Sequence, residues 1–206
     1  MSLKAISICL SALSLASVAS AVEINVAGSS AGGFNAQSMN SVNSLLGLTY
    51  NGSVFSQSTA GGFVAFGGNP SPSANVDNFG SFTLNGNVNT YTGNTFTLLL
   101  TFTDPLGIVG GGSTSFQAAV MGQVVNTTAG GVNVSFGANS THTYTFANPT
   151  TAGTFTLNLN SVALAPGQSA SVTGYIVSSA SPVPEPATLA GLGIASLALI
   201  RRRARK

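Results

Sequence analysis

Short segments in which apolar and polar residues alternate run through the middle of the chain. In residues 95–103, phenylalanine and leucine alternate with threonine except at Leu99, and residues 132–136, 143–146 and 154–160 repeat the pattern. Successive side chains of a β-strand point to opposite faces, so each segment has one apolar face and one face of hydroxyls and amides. Strands of this kind pack their apolar faces together. The predicted fold class is all-β, an antiparallel β-sandwich of jelly-roll type.

Glycine, asparagine and proline separate these segments. Asn51-Gly52 and Asn85-Gly86 predict two-residue hairpin turns, because Asn-Gly readily adopts the positive φ angles that such turns require. Pro166-Gly167 suits the centre of a type II turn. Four further expectations are an exposed loop at 67–73, a hairpin loop at 148–153, a last strand near 170–177 and a weak helical turn at 37–46.

Charged residues are almost confined to the two ends of the chain. The 206 residues include six Lys and Arg and four Asp and Glu, a net charge of +2. Between Val22 and Val183 there is no Lys or Arg, and the only acids are Glu23, Asp77 and Asp104. Nucleic-acid binding is excluded as a function class, because its affinity comes mostly from Lys and Arg at phosphates.

The first residues have the three parts of a secretory signal peptide. Lys4 supplies the positive charge, residues 5–18 form the apolar run, and Ala19-Ser20-Ala21 has the spacing of small residues that signal peptidase accepts. We expect a signal peptide at residues 1–21, with cleavage after Ala21 and before Val22. An uncleaved helical anchor is the alternative.

The only cysteine, Cys9, lies in this apolar run and would be removed with it. As a lipid attachment site it fits poorly, because the preceding Ile6-Ser7-Ile8 lacks a small residue directly before Cys9. We therefore expect no thiol chemistry in the mature protein.

A proline-rich linker, an apolar run and a basic cluster follow one another at the other end. Prolines at 182, 184 and 186 hold the linker, residues 179–186, extended and prevent a helix there. Residues 187–200 are apolar, and as a helix their 14 residues rise about 21 Å, against about 30 Å for a hydrocarbon core. Taken alone, this run suits an interfacial or buried core helix equally well. The terminal cations resist translocation and keep that end in the cytoplasm; they are Arg201, Arg202, Arg203, Arg205 and Lys206.

The order of these parts resembles the PEP-CTERM sorting signal of exported bacterial proteins. The resemblance rests on Val183, Pro184, Glu185 and Pro186, followed by the apolar span and the terminal arginines. It implies recognition by exosortase, a membrane-embedded transpeptidase-like enzyme, with cleavage near the motif. It further implies a precursor anchored transiently in the inner membrane through residues 187–200, then a place at the cell surface or outside the cell, with exopolysaccharide in biofilm-forming cells.

Few side chains between the two ends are suited to catalysis. His142, the only histidine, shares the parity of Tyr144 and Phe146 and is expected to be a half-buried strand residue. With one histidine and no mature cysteine, a transition-metal site would lack ligands. We predict no catalytic, cofactor-binding or metal-binding residue, and no cofactor.

The three acids are the remaining candidates. Asp77 and Asp104 could be the carboxylate pair of a glycosidase, or one of them could hold Ca²⁺ with carbonyl oxygens. Both lie in turn-like sequence, which favours a turn role instead. Glu23, at the mature terminus, is expected to be held loosely.

Residues 22–178 are thus expected to form one β-sandwich domain, for which three functions compete. The leading one is a non-catalytic surface or matrix protein, in which weakly charged strand edges permit self-association. A carbohydrate-binding module is the second, and a hydrolase is the least favoured. The candidate side chains for stacking on sugars are Tyr50, Tyr91, Tyr144 and Tyr175.

Overall fold

The computed structural model describes residues 22–67 and 77–183 and confirms an all-β, antiparallel fold there. The predicted helical turn at 37–46 is wrong, because Val42–Leu45 is a strand paired with Leu48–Asn51. The predicted signal helix with Ala19 and Ala21 lies outside the described residues. The same holds for most of the loop at 67–73, for Pro184, Glu185 and Pro186, for the segment at 187–200 and for the basic cluster.

Fifteen strands and one short 3₁₀ helix, Gly137–Ser140, make up the described structure. The strands are β1 Asn25–Phe34, β2 Val42–Leu45, β3 Leu48–Asn51, β4 Val54–Ser58, β5 Phe63–Phe66, β6 Ser81–Leu84, β7 Asn89–Thr90, β8 Asn94–Asp104, β9 Ser113–Asn126, β10 Ala129–Ser135, β11 Thr141–Ala147, β12 Thr151–Leu159, β13 Val162–Leu164, β14 Ser169–Ser171 and β15 Gly174–Pro182. The strands expected at 95–103, 132–136, 143–146 and 154–160 correspond to β8, β10, β11 and β12.

Three antiparallel sheets form from these strands. The seven-stranded sheet has the order β13-β10-β9-β8-β1-β4, with β7 also paired to β9. The β15 sheet has the order β11-β12-β15-β5, and the β6 sheet has the order β14-β6-β3-β2. The predicted jelly-roll arrangement is not confirmed. The long strands β8, β9 and β10 instead lie side by side in chain order, and two smaller sheets divide the other layer.

Aromatic side chains join the β6 sheet to one end of the seven-stranded sheet. Phe34 and Phe96 project from β1 and β8, with ring centroids 5.1 Å apart. From the β6 sheet, Tyr50 and Phe82 each lie 4.9 Å from the Phe96 ring. All four side chains are buried. Such pairs add to the stabilisation that comes from burying the rings.

A second aromatic group joins the β15 sheet to the other end of the same face. Phe102 of β8 contacts Tyr144 at 4.9 Å and Phe155 at 5.3 Å, measured between ring centroids. Phe55 of β4 lies 5.5 Å from Phe66 of β5 and 5.5 Å from Phe102. The two aromatic groups belong to one continuous core, so the three sheets form two layers.

The two Asn-Gly sequences do not form hairpin turns, so that prediction is wrong. Both connect strands of different sheets: β3 and β4 flank Asn51-Gly52, and β6 and β7 flank Asn85-Gly86. Gly52 is needed for close packing, because a Cβ there would collide with the carbonyl oxygen of Ser30.

The turn at Pro166-Gly167 is confirmed. Gly167 has a φ of +74°, and the Gln168 amide donates to the Ala165 carbonyl at 3.1 Å, as in a type II turn. The hairpin between β11 and β12 is also present but tighter than expected. Its loop is residues 148–150, and Asn148 Oδ1 accepts hydrogen bonds from the amides that follow it.

The last part of the chain changes sheets once. The strand expected at 170–177 is divided: β14 pairs with β6, and β15 pairs with β12 and β5. β15 then runs on to Pro182, so the first four residues of the predicted linker at 179–186 are strand. Val183 still donates its amide to the Thr150 carbonyl at 2.9 Å, and Val22 donates to Ala180 at 3.4 Å. Both ends of the described chain therefore lie along the same stretch of β15.

We expect Phe102→Ala to lower the free energy of unfolding by about 3–5 kcal/mol, because it leaves a cavity where the two layers meet. Thr103→Ala, at the neighbouring exposed position, should change it by no more than about 0.5 kcal/mol. Denaturant unfolding of the purified variants measures both values. A loss for Phe102→Ala no larger than that for Thr103→Ala would contradict this account of the core.

Candidate functional site

The outer surface of the β15 sheet carries an exposed apolar cluster. Strand alternation buries Val64, Phe66 and Ile176 and turns Phe63, Tyr175 and Val177 towards solvent, with 48%, 37% and 48% of their surfaces exposed. The rings of Phe63 and Tyr175 stack at 5.7 Å with 30° between their planes. We call the outward-facing set Phe63, Tyr175 and Val177 the aromatic face.

Two rows of side chains cross the sheet at this face. In the first, Phe63, Val177, Thr156 and Thr143 are partners across successive strands. In the second, Ala65, Tyr175, Asn158 and Thr141 are partners in the same way. Each row is apolar on β5 and β15 and carries hydroxyls or an amide on β12 and β11.

Hydrogen bonds between side chains hold the polar half of the rows in place. The Thr141 hydroxyl donates to Asn158 Oδ1 at 3.0 Å, and the Thr143 and Thr156 hydroxyls are 2.8 Å apart. None of the four strands contains Asp, Glu, Lys or Arg. These strands therefore present aromatic rings beside ordered hydroxyl and amide groups, without a Lys, Arg, Asp or Glu side chain of their own.

Only one of the four predicted stacking tyrosines is available to a ligand. Tyr50, Tyr91 and Tyr144 are buried, so that part of the prediction is wrong, whereas Tyr175 is exposed. A buried tyrosine hydroxyl usually has a hydrogen-bond partner. The Tyr50 hydroxyl donates to Ser30 Oγ at 2.9 Å, and the Tyr91 hydroxyl donates to the Leu46 carbonyl at 2.7 Å. Burial raises the pKa of Tyr50 well above its ordinary range, more than the bond to Ser30 lowers it.

Phe63 was not predicted from the sequence. The strand Phe63-Val64-Ala65-Phe66 has a phenylalanine of each parity, so alternation alone cannot say which of the two points outwards. The pairing with β15 resolves it, because Val177, an outward residue, lies opposite Phe63.

A polar cleft of roughly 370 Å³ surrounds His142 at the start of β11. The side chain is exposed rather than half-buried as predicted, because it lies at the end of the sheet, with its ring 4.6 Å from Tyr144 and 6.3 Å from Phe116. Ser113 also lines the cleft, but its lining includes no carboxylate that could orient His142. A serine nucleophile would thus lack the third member of its triad.

The Tyr144 hydroxyl is buried beside this cleft and, among the described residues, makes no hydrogen bond of acceptable geometry. Burial raises the pKa of Tyr144 to about 12, and the nearby Thr114 side chain offsets part of that rise. The hydroxyl is therefore neutral at physiological pH and unsuited to act as a base.

Glu23 is held firmly, contrary to expectation. Its carboxylate accepts hydrogen bonds from the Thr59 hydroxyl at 2.6 Å, the Gly61 amide at 2.8 Å and the Gly62 amide at 3.4 Å. These bonds, that from Thr59 most of all, hold the pKa of the Glu23 carboxyl below its ordinary value. The acid fastens the beginning of the described chain to the turn before β5.

Asp77 joins the edge strands of two sheets. Its amide donates to the Val54 carbonyl at 3.2 Å, its Oδ1 accepts from the Ser56 amide at 3.3 Å, and its carbonyl accepts from the Gly67 amide at 3.1 Å. Its φ of +55° is one that aspartate tolerates better than most residues. These contacts fit the turn role that the sequence favoured.

Asp104 lies at the end of β8, before a cis peptide bond to Pro105, and accepts a hydrogen bond from Asn25 Nδ2 at 3.1 Å. It lines a shallow cleft of roughly 160 Å³ together with Glu23, whereas Asp77 is not among the lining residues. Within residues 22–67 and 77–183, no three His, Cys, Asp or Glu side chains are grouped so that they could hold a metal ion.

Comparison with known proteins identifies the end of the chain. The family model described as the PEP-CTERM protein-sorting motif matches residues 182–206. No curated protein and no solved structure matches the chain. Residues 22–67 and 77–183 contain no helix that is long and apolar enough to span a membrane. The sorting motif starts at Pro182, the last residue of β15, so it follows the folded sheet directly.

The contribution of Glu23 to the free energy of unfolding should decrease as the pH falls. It is complete above the ordinary pKa of glutamate, about 4.3, and is lost as the pH falls through the lower pKa of the folded protein. We expect Glu23→Gln to remove this part of the pH dependence, measured as the free energy of unfolding from about pH 6 to about pH 2.5. Ser58→Ala, a neighbouring exposed change, should keep the wild-type dependence. Equal curves for Glu23→Gln and the wild type would show that the carboxylate contributes nothing.

Proposed function

We propose that this chain is a non-catalytic protein of the cell surface or extracellular matrix, delivered there by an exosortase-type system. The observation that carries the proposal is the sorting motif at residues 182–206, which indicates an exported, exosortase-sorted protein. In the proposed route, signal peptidase removes residues 1–21, and the remaining chain is anchored in the inner membrane through residues 187–200. Exosortase then cleaves near Pro184-Glu185-Pro186 and places the protein outside.

The roles of the ionisable groups support a non-catalytic protein. The carboxylates of Glu23, Asp77 and Asp104 each accept hydrogen bonds that tie strands or turns together. His142 has no carboxylate among its cleft neighbours. General acid–base catalysis needs a titratable group that is free to meet a substrate, and these contacts engage the three carboxylates in the fold. His142 is exposed, but no carboxylate of its cleft orients it. A hydrolase is accordingly the least favoured function.

Carbohydrate binding is the second candidate, favoured by the aromatic face. Its exposed rings and neighbouring hydroxyls suit a sugar polymer, and the proposed destination is one in which exopolysaccharide surrounds the cell. Carbohydrate binding is compatible with the matrix role, because binding to exopolysaccharide would retain the protein in the matrix.

Sorting is tested by replacing Pro184, Glu185 and Pro186 with alanine in cells that have an exosortase. We expect the precursor to remain in the membrane fraction at its uncleaved mass, because the processing enzyme no longer recognises it. The matched control is Ser179→Ala with Ser181→Ala, two exposed changes just before the motif. Fractionation and immunoblotting measure the distribution. Wild-type amounts of processed surface protein from the triple variant would argue against the proposed route.

The matrix role is tested by deleting the gene. We expect the deleted strain to aggregate more slowly than the wild type, because a component that links cells or polymer is missing. A settling assay measures the rate, and the intact gene supplied in trans should restore it. Unchanged aggregation, together with a protein that stays monomeric at high concentration, would count against this role.

A further inference from the structure

We propose that the aromatic face is the binding site for a neutral polysaccharide. The inference rests on the carbohydrate-binding function proposed above and assigns it to one surface of the molecule, the side of the β15 sheet that carries Phe63, Tyr175 and Val177.

The first argument is the distribution of aromatic residues. All twelve phenylalanines and four tyrosines lie within residues 22–67 and 77–183, and every one except Phe63 and Tyr175 is buried. The two exposed rings are neither scattered nor distant. They come from adjacent strands and stack against each other. A fold that buries every other aromatic ring but leaves this pair on its surface has a place for a ligand to pack.

The second argument is the chemistry of the rows that contain the pair. A sugar ring has a face of C–H groups, which packs on aromatic side chains, and a rim of hydroxyls, which needs hydrogen-bonding partners. Each row supplies both in order, since it passes from Phe63 and Val177 to Thr156 and Thr143, or from Tyr175 to Asn158 and Thr141. From β5 to β11 the rows cross three strand spacings, about 14 Å, so an extended polymer can contact both halves at once.

The third argument concerns charge. The four strands of the β15 sheet contain no charged residue, and there is no Lys or Arg between Val22 and Val183. A polymer of uronic acids would have to lose hydration at its carboxylates without meeting a cation on this surface, which costs free energy. A neutral polymer has no carboxylates to dehydrate and so avoids this cost.

A second copy of the chain is the main competing occupant. Stable protein interfaces bury about 800 Å² on each partner around a continuous apolar centre. The aromatic face has three large apolar side chains, and rows of hydroxyls and an amide adjoin them on β12 and β11. This mixture suits a ligand whose own surface alternates between C–H and hydroxyl groups better than it suits a protein interface.

The test uses the full chain, extracted from membranes with a polyoxyethylene detergent, which carries no sugar group that could occupy the site. The probes are three insoluble neutral polysaccharides, cellulose, chitin and curdlan, and beads of alginate as the charged polymer. Depletion of the protein from solution measures binding. We expect saturable binding to at least one neutral probe and at least about tenfold weaker binding to alginate.

Four substitutions and one control locate the site. Phe63→Ala and Tyr175→Ala should each weaken binding at least about tenfold, as loss of an aromatic anchor does at other interfaces. Phe63→Tyr and Tyr175→Phe keep a ring and should stay within about threefold of the wild type. Val42→Ala removes an apolar side chain that is even more exposed, at 58%, from the β6 sheet and should bind as the wild type. Equal thermal unfolding midpoints show that the alanine variants are folded.

Three results would overturn the inference. The first is that none of the neutral probes binds saturably, and the second is that both alanine variants bind like the wild type. The third is concentration-dependent association of the wild type that Phe63→Ala abolishes, which would assign the face to a second copy. Sorting is measured separately, by the surface fraction of the same variants. The surface fraction should be the same as for the wild type. A failure of polysaccharide binding would therefore not contradict the proposed sorting route. A failure of sorting would likewise not affect the binding measurement.

Discussion

The fold depends on covering one face of a sheet whose strands are unusually long. β8 and β9 have 11 and 14 residues, and their inward side chains stay buried from Phe96 to Phe102 and from Phe116 to Val124. One short-stranded sheet cannot cover that length. The β6 sheet covers one end through Tyr50 and Phe82, and the β15 sheet covers the other through Tyr144 and Phe155. The outward side of the β15 sheet is left to solvent, and this is where the exposed rings lie.

Each of the three acids between Val22 and Val183 accepts hydrogen bonds from other parts of the fold. With no Lys or Arg between Val22 and Val183, the carboxylates in this region are held by hydrogen-bond donors of the fold. Glu23 finds a hydroxyl and two amides, Asp77 finds the Ser56 amide, and Asp104 finds an asparagine. These residues replace the ion pairs with which other proteins close their edges and turns. Away from these three acids, the strands of the β15 sheet contain no Asp, Glu, Lys or Arg.

Alternation in the sequence was sufficient to predict β8, β10, β11 and β12, because burial on one face is a local property of each segment. The long strands β1 and β9 were not predicted. Which strands pair is not local, and this is where prediction failed. Asn51-Gly52 and Asn85-Gly86 have the composition of hairpin turns, yet their flanking strands find partners far along the chain. Tyr50 and Tyr144 are buried for the same reason, since a second sheet covers them. The firm hold on Glu23 depends on Thr59 and the glycines after it, 36 or more residues away.

The position of β15 determines how the domain would carry a mechanical load. The strand lies between β12 and β5 and is in register with β12 at nine positions, from Gly174 to Pro182. A tension applied at its C-terminal end acts along the strand, so the hydrogen bonds to β12 are sheared together instead of being opened one by one. Because Val22 is bonded to Ala180, the other end of the described chain shares the same loaded segment. Tension at the point where the sorting motif begins would thus act on nine residue pairs of β15 and β12 together.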